Sequence, residues 1–384
     1  MYKWIIIGGG IQGCCVATRL LQNKVSKEEL LIIDPHPEPI WMWRTLTDRI
    51  GMAYLRSPSV HHIAADPYSL KKYSRSNDYA KAFKGNYSRP RLDMFNQHSL
   101  DEIDKAGVHY CWKQGTVNGL SWSKNDWKVR MSGNQVVKGE RVVLALGVNQ
   151  EPHYPDWVSE YKASDAVSHI FDLDKPLPDQ GDVIILGGGM TAGHLANTLS
   201  KQETINSVHL VKRHSIRIHK FDSDPGWLGP KYLTKYYQTD CYKKRRSLIQ
   251  QARNRGSMTR DLYLELNRQS VQGRLNLYTG EIEEAKLIDG MIELMMNNGE
   301  IVRGHSLILA TGAELAFPGK EWIQPVIDQL ALPCAPCGFP IVSRSLEWKA
   351  GLFVAGALAE LEIGPVSRNI AGARKAAERI AQNA

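Results

Sequence analysis

Two Gly-rich turns, each following a short apolar run, constrain this chain more than any other feature. The first, Gly8-x-Gly10-x-x-Gly13, follows "KWIIIG"; the second, Gly187-x-Gly189-x-x-Ala192, follows "GDVIIL". A fully apolar run of this length reads as a central parallel strand. Each turn leads into a helical stretch and then a second apolar run. "LLIID" ends at Asp34, whereas "SVHLVKRH" passes Lys212 and Arg213. This is the order of a dinucleotide-binding unit. Gly8 makes the tight turn, Gly10 lets backbone N–H groups approach a pyrophosphate, and Gly13 lets the helix pack close to its strand. Gly9 and Ile11 complete that turn, and the helix N-terminus favours phosphate charge. Asp34 is placed to accept a hydrogen bond from a ribose. In the second unit Gly187, Gly189 and Ala192 repeat the scheme, with Met190 and Thr191 opening the helix. An acid at its strand end would repel a 2′-phosphate, and Lys212 and Arg213 attract one. The first site therefore reads as FAD and the second as NADPH.

The repetition extends beyond the turns. "VHYCWKQGTVNGLSWSKNDWKVRMSGNQVVKGERVVLALG" follows the first unit and "LNLYTGEIEEAKLIDGMIELMMNNGEIVRGHSLILATG" the second. Both read as a strand, short antiparallel strands with polar turns, and an apolar strand ending in Gly. Near the C-terminus "GLFVAG" is a further buried strand, and "GPVSRNIAGARKAAERIAQ" a helix with Gly364 and Pro365 at its start. The fold expected is α/β, with two Rossmann-like (GR2-type) dinucleotide-binding domains, the NADPH domain inserted into the FAD domain, and a small antiparallel β-meander in each. The FAD domain is expected over 1–170 and 306–384, with a helical insert at about 40–105. The NADPH domain is expected over 171–305, with a substrate-side insert at about 221–273.

A chain of 384 residues has room for two or three such domains. No apolar run approaches the ~20 residues of a membrane span, and the Gly-rich interruption of the N-terminal apolar run is wrong for a signal peptide. The expected location is cytosolic. The net charge of +8 is partly concentrated between Lys231 and Arg260, including "YKKRRS". That segment reads first as a solvated basic face, or as a surface for an acidic or protein partner. No zinc-finger or RNA-binding signature supports nucleic acid, and no residue set with metal-ligand spacing is present.

At this point the residues resemble a known group. Two GxGxxG/A units, "LALG", "ATGAE" and "LFVAGALAELEIGP" are similar to the two-dinucleotide-binding-domain flavoproteins, most of all the NADPH-dependent monooxygenases of the lysine/ornithine N-hydroxylase and flavin-containing monooxygenase type. The resemblance implies that NADPH reduces FAD, that a flavin hydroperoxide forms with O2, and that one oxygen atom passes to an N, S or C nucleophile of a small molecule. It also implies site residues. Trp43, Arg44 and Met52 would lie along the flavin, joined by Val117, Gly147, Gly356, Gly364 and Pro365. Thr311 and Gly312 of "ATGAE" would serve NADPH. Arg56 would stand at the substrate edge, with His61 and His62 in the pocket. His169 in "SHIFD" precedes the second Gly turn as a His motif does in flavin-containing monooxygenases. The chain departs from the pattern at Ala357, where such flavoproteins have an Asp after the last strand's Gly.

Cys334-Ala-Pro-Cys337 supports another reading. A CxxC pair is a redox-active dithiol in some flavoprotein reductases, which pass electrons to a disulfide, quinone or protein. Here it lies in the Pro-rich loop "ALPCAPCGFP", outside the position such pairs take in the NADPH domain. A flavin- or nucleotide-binding sensor is the non-enzymatic alternative.

Overall fold

In the computed structural model, residues 1–123, 125–148 and 151–384 are described. Two parallel sheets carry the two Gly turns. In the first the strand order is Glu347–Lys349, Leu352–Val354, Val136–Leu144, Tyr2–Ile7, Leu30–Asp34, Trp112–Gln114. Within it, the run from Leu352–Val354 to Trp112–Gln114 is parallel. The second has the order Leu275–Thr279, Ile205–Lys212, Gly181–Leu186, Ser306–Leu309, Val167–His169, all parallel. Each sheet thus places its Gly-turn strand between the strand that follows the helix and the strand that closes a meander. Parallel strands covered on both faces must be apolar throughout, and Trp4 to Ile7, Leu30 to Ile33 and Val183 to Leu186 are all buried.

The meanders differ in attachment. Asp126–Met131 pairs antiparallel with Val136–Leu144, and Val117–Ser123 pairs antiparallel with Asp126–Met131, so the meander extends the first sheet. Ile282–Ile288, Met291–Met296 and Ile301–Gly304 form a separate antiparallel sheet. The C-terminal strand Leu352–Val354 returns beside Val136–Leu144, as inserting one unit into the other requires.

The expected division moves at both edges. Val167–His169 and Ser306–Leu309, assigned from the sequence to the first unit, hydrogen-bond within the second sheet. The reason is the repeat itself. "SLILATG" closes its own meander as "RVVLALG" does, so it returns to its own Gly-turn strand. Val167–His169 then takes the position that Leu352–Val354 takes in the first sheet.

The insert at 40–105 is helical, with Trp41–Arg49, Ser69–Ser76 and Leu92–Ala106. The other insert divides its packing. Leu233, Tyr236 and Ile249 of its helices Pro230–Tyr237 and Tyr242–Ala252 are buried in the core of the first sheet. Leu262 and Leu266 of Arg260–Val271 join the core of the second. The first Gly-turn helix, Ile11–Gln22, lies directly against the C-terminal helix, Ile370–Ala381, and both are rich in small buried residues, Ala17 in the first and Ala373 and Ala377 in the second among them. Among the described residues no helix is long and apolar enough to cross a membrane.

Candidate functional site

The C-terminal strand ends of both sheets open onto one cleft of about 1470 Å³. That exceeds the ~300–1,000 Å³ of a common small-molecule pocket. Gly8, Gly10 and Ile11 of the first turn line it, and so do Met190 and Thr191 of the second.

The three glycines of the first turn do different things. Gly8 has φ +104°, and a Cβ there would lie 2.5 Å from the Ala145 carbonyl oxygen. A Cβ on Gly13 would lie 1.8 Å from the Gly8 carbonyl oxygen, so the helix touches the turn with no atom between them. A Cβ on Gly10 would meet nothing within 4 Å among the described residues. Its open flank and the uncapped helix N-terminus behind it leave backbone N–H groups facing the cleft. Gly9 is fixed from the other side, because a Cβ there would strike the Trp112 indole. Trp112 is therefore a wall behind the turn, and its Nε1 donates to the His36 carbonyl at 3.2 Å.

Asp34 is buried and lines the cleft. Its carboxylate accepts from Gly9 N–H at 2.6 Å and His36 N–H at 2.9 Å, which fixes its orientation toward a ribose. Gln12 also lines the cleft. Its Nε2 donates to the Ser367 carbonyl at 3.0 Å, while its buried Oε1 has no partner. Orphaned buried acceptors are uncommon. The open Gly10 flank, the oriented Asp34 and the unpartnered Gln12 Oε1 together fit a bound FAD. Trp43, Met52, Val117 and Gly147 line the same cleft, and Asn96 holds the Trp43 indole at 3.0 Å.

Several expected residues sit elsewhere. Arg44 is outside the lining and forms a surface ion pair with Glu38 at 2.8 Å. Gly356 is buried behind the wall against Gln12. Gly364 and Pro365 do not start the last helix. They form a turn packed toward Trp227, Leu233 and Tyr236, and Asn369 stands at the N-cap position of the helix that begins at Ile370, without a side-chain capping hydrogen bond. The cleft is lined instead by Arg368, Asn369 and Ile370. An Asn before an apolar run is a common N-cap signal and could have been read from the sequence.

Arg56 lines the cleft, but its guanidinium is fully engaged. Nη1 meets Asp222 Oδ1 at 2.8 Å, and Nη2 donates to the carbonyls of His219 and Phe221 and to Ser257 Oγ at 2.8–2.9 Å. It clamps the insert against the first unit and is not a free group at a substrate edge. His61 and His62 lie outside the lining. His62 packs edge-on against His98 at 5.0 Å, and its Nε2 meets the Pro67 carbonyl at 3.2 Å. His169 is wholly buried behind Ile170 and Phe171, which do line the cleft. Phe171 N–H donates to its Nδ1 at 3.2 Å, and Thr311 Oγ1 lies 3.3 Å from its Nε2. Burial lowers its pKa to about 4, so the ring is neutral near pH 7.

At the second turn, Gly189 opens the helix toward Gly256, and Ala192 is fully buried. Gly187 approaches the Ala310 carbonyl as Gly8 approaches that of Ala145. Gly312 accepts from His153 N–H at 2.9 Å, outside the lining. Lys212 turns inward: its Nζ donates to the Tyr278 carbonyl at 3.0 Å and to Thr279 Oγ1 at 2.5 Å. It ties two strand ends together, which leaves Arg213, exposed and without an ion pair among the described residues, as the cation at this strand end.

The basic segment is not uniformly solvated. Lys243 and Lys244 are exposed, but Arg245 is buried and Arg246 points inward to Glu360. Cys337, three residues from Cys334, lines the cleft with Arg246 Nε 3.4 Å from its Sγ. Both thiols are free. Cys14 and Cys15 are buried, and burial raises both thiols, Cys15 to about 12. No cluster of three metal-ligating side chains occurs among the described residues.

Comparison with known proteins gives a consistent result. Residues 5–149 match the FAD-NAD(P)-binding family, and residues 88–313 match the family described as L-lysine 6-monooxygenase/L-ornithine 5-monooxygenase. No curated protein sequence matches. Among solved structures, the cadaverine monooxygenase of the desferrioxamine pathway from Erwinia amylovora superposes with a TM-score of 0.75 at 17% identity, over 99% of this chain and 93% of that one. Ornithine hydroxylase from Pseudomonas aeruginosa gives 0.74 at 18%, over 100% and 98%. Bacillithiol disulfide reductase from Staphylococcus aureus gives 0.65 at 15%, over 100% and 97%. At these identities the likeness shows a shared fold.

Proposed function

The chain belongs to the L-lysine 6-monooxygenase/L-ornithine 5-monooxygenase family, and from that premise we propose that it oxygenates the nitrogen of a small amine, with FAD on the first Gly turn and NADPH on the second. The observation that carries this reading is the single cleft lined by both turns. A hydride donor on one turn and its acceptor on the other would meet inside it.

Bound FAD supplies the redox chemistry and the activation of O2. The chain's own residues bind, orient and exclude water. The N–H groups at Gly10 and the start of Ile11–Gln22 would hold one pyrophosphate, and those at Met190 and Thr191 the other. Asp34 would take the ribose. Trp43, Phe171, Leu315 and Phe317 give the cleft apolar walls, which restrict water around a reactive group. His169 is hydrogen-bonded behind the wall, so no histidine is assigned as acid or base. The family's amine substrates and the amine named for the Erwinia protein favour nitrogen as the acceptor atom.

The test is product analysis. NADPH added without oxygen should bleach the flavin. Admitting air with an amine should then give an N-hydroxylated product in step with NADPH consumed. Release of hydrogen peroxide alone with every amine offered overturns the reading.

The cofactor assignment has its own test. Arg213→Glu is expected to weaken NADPH binding at least tenfold, about 1.4 kcal/mol, while NADH binding stays the same. Equal loss for both cofactors removes the 2′-phosphate role.

A second reading rests on Cys337, whose thiol faces the cleft beside Arg246. The Staphylococcus protein of the same fold is a disulfide reductase. Replacing Cys334 and Cys337 with Ser abolishes NADPH oxidation in a dithiol reductase and leaves amine hydroxylation intact in a monooxygenase.

A further inference from the structure

Arg56 and Arg368 line one wall of the cleft, and Arg246, Arg253 and Arg255 lie outside its lining, close to the same two carboxylates, Asp222 and Glu360. Glu360 is 1% exposed. Arg368 grips it through Nε at 2.8 Å and Nη2 at 3.0 Å, and Arg246 binds the same carboxylate. Arg56 holds Asp222 at 2.8 Å. Asp222 and Arg368 both line the cleft.

Arg253 and Arg255 are held near this wall by the residue between them. Asn254 N–H donates to the Asp222 carbonyl at 2.7 Å, and its Nδ2 donates to the Phe221 carbonyl at 2.9 Å. Neither arginine has an ion pair among the described residues. Burial and the adjacent Arg368 guanidinium both lower the pKa of Arg253 and of Arg255. Two buried N–H donors in the cluster, Arg253 Nη1 and Arg246 Nη2, have no acceptor among the described residues.

A guanidinium cannot shed its charge by deprotonating. Buried charge without a partner is strongly unfavourable unless a counter-charge arrives. Two carboxylates leave this wall with an excess of positive charge. The cofactor pyrophosphates have the helix N-termini of the two Gly turns, and Arg213 stands at the second strand end for a 2′-phosphate.

We propose that this wall is a subsite for the acidic groups of the acceptor, and that the acceptor is a small amine carrying at least two negative charges, as carboxylates or a phosphate. The inference rests on the monooxygenase reading. A diamine would add positive charge to a cationic wall, and a basic amino acid would bring one carboxylate with two ammonium groups. An acceptor with two acidic groups offsets the excess positive charge and leaves its amine to reach the remainder of the cleft.

The test uses the FAD-loaded protein saturated with NADP⁺, titrated calorimetrically with cadaverine, L-lysine, Nα-succinyl-L-lysine and O-phosphoethanolamine. Cadaverine carries two ammonium groups and no carboxylate, L-lysine two ammonium groups and one carboxylate, and Nα-succinyl-L-lysine one ammonium group with two carboxylates. Succinyl-lysine or phosphoethanolamine is expected to bind at least tenfold more tightly than lysine, and cadaverine least tightly. Which of the two binds better separates carboxylate from phosphate. Arg253→Met is expected to remove at least tenfold of that affinity, and Arg253→Lys to restore part of it, with FAD content and melting temperature unchanged. Should Arg253→Met fail to fold, Arg255→Gln alters an exposed side chain beside the same wall and is expected to weaken the acidic probes several-fold. Cadaverine or lysine binding as tightly as the acidic probes overturns the proposal and leaves the oxygenase reading intact. Acidic probes that bind but never become N-oxygenated overturn that reading and leave the subsite standing.

Discussion

Gly13→Ala is expected to abolish flavin binding and destabilise the apoprotein by about 3 kcal/mol or more, whereas Gly10→Ala is expected to abolish flavin binding alone. The first figure is the cost of forcing an atom into a filled core. A methyl group at position 13 would meet the Gly8 carbonyl oxygen at 1.8 Å and Ile6 Cγ2 at 3.2 Å. The nearer atom is backbone in the turn itself, so no side chain can rotate away. The helix Ile11–Gln22 cannot easily retreat either, because the C-terminal helix lies against its other side. That helix is itself held close, since a Cβ on Gly372 would lie 2.2 Å from the Val366 carbonyl oxygen. Gly10 differs. It has φ −73°, and a Cβ there would meet nothing within 4 Å among the described residues, so Ala fits the apoprotein. Its methyl group would occupy the approach of a pyrophosphate to the helix N-terminus. Melting temperature of the apoprotein and flavin absorbance of the loaded protein separate the two effects. A Gly13→Ala protein that melts within about 1 °C of the parent refutes the packing argument. A Gly10→Ala protein with full flavin content refutes the pyrophosphate assignment.

These glycines were legible because their constraint is local. A turn, a close approach and a helix start fall within six residues, and the same pattern recurs at Gly187. The strands were legible for a similar reason, since a parallel strand buried on both faces is written as one apolar run. Asp34 could be placed because the strand carries it to the cleft. Lys212 shows where such reasoning stops. Its charge and its place at a strand end were readable, but its turn toward Tyr278 and Thr279 depends on a strand 66 residues away. The Arg56 clamp is longer still, reaching His219 to Asp222 and Ser257 across more than 160 residues. No spacing rule encodes that pairing. The arginine cluster is assembled from residues 56, 246, 253, 255 and 368, so its charge excess exists only once the chain has folded. In the sequence the central part of it read as a solvated basic face. The residues that were legible are those that hold cofactors common to many chains. Those that distinguish this chain lie where distant segments meet.

Lowering the pH from 7 to 5 is expected to destabilise the protein by several kcal/mol, before most carboxylates titrate. His62, His98 and His169 are wholly buried, and His194 is 9% exposed. Burial is the first cause that lowers each of them to about 4. Neighbouring charges do not offset it. Arg374 stands near His62, Lys105 near His98, and Arg89 and Lys84 near His194, while the carboxylates of Glu102, Asp101 and Asp261 pull the other way. In the unfolded chain a histidine titrates near ~6.5. Unfolding therefore takes up protons below that value. The contribution of neutral burial is complete above pH 6.5, declines as pH falls, and is lost once the folded histidines themselves protonate near 4. Linkage gives roughly 1–2 kcal/mol per histidine at pH 5, a large share of the ~5–15 kcal/mol that holds a typical domain folded. His62 and His98 brace the segment after Arg56, where His98 Nε2 meets Ser69 Oγ at 2.8 Å and Arg374 holds the Val60 and Ala65 carbonyls at 2.7 and 2.9 Å. Urea unfolding at a series of pH values gives the number of protons taken up, which is expected to be about three between pH 5 and 6. His98→Leu should lower that number by about one. A stability that stays flat from pH 7 to 5, or a slope that His98→Leu leaves unchanged, would show that these rings are charged or solvated in the folded protein.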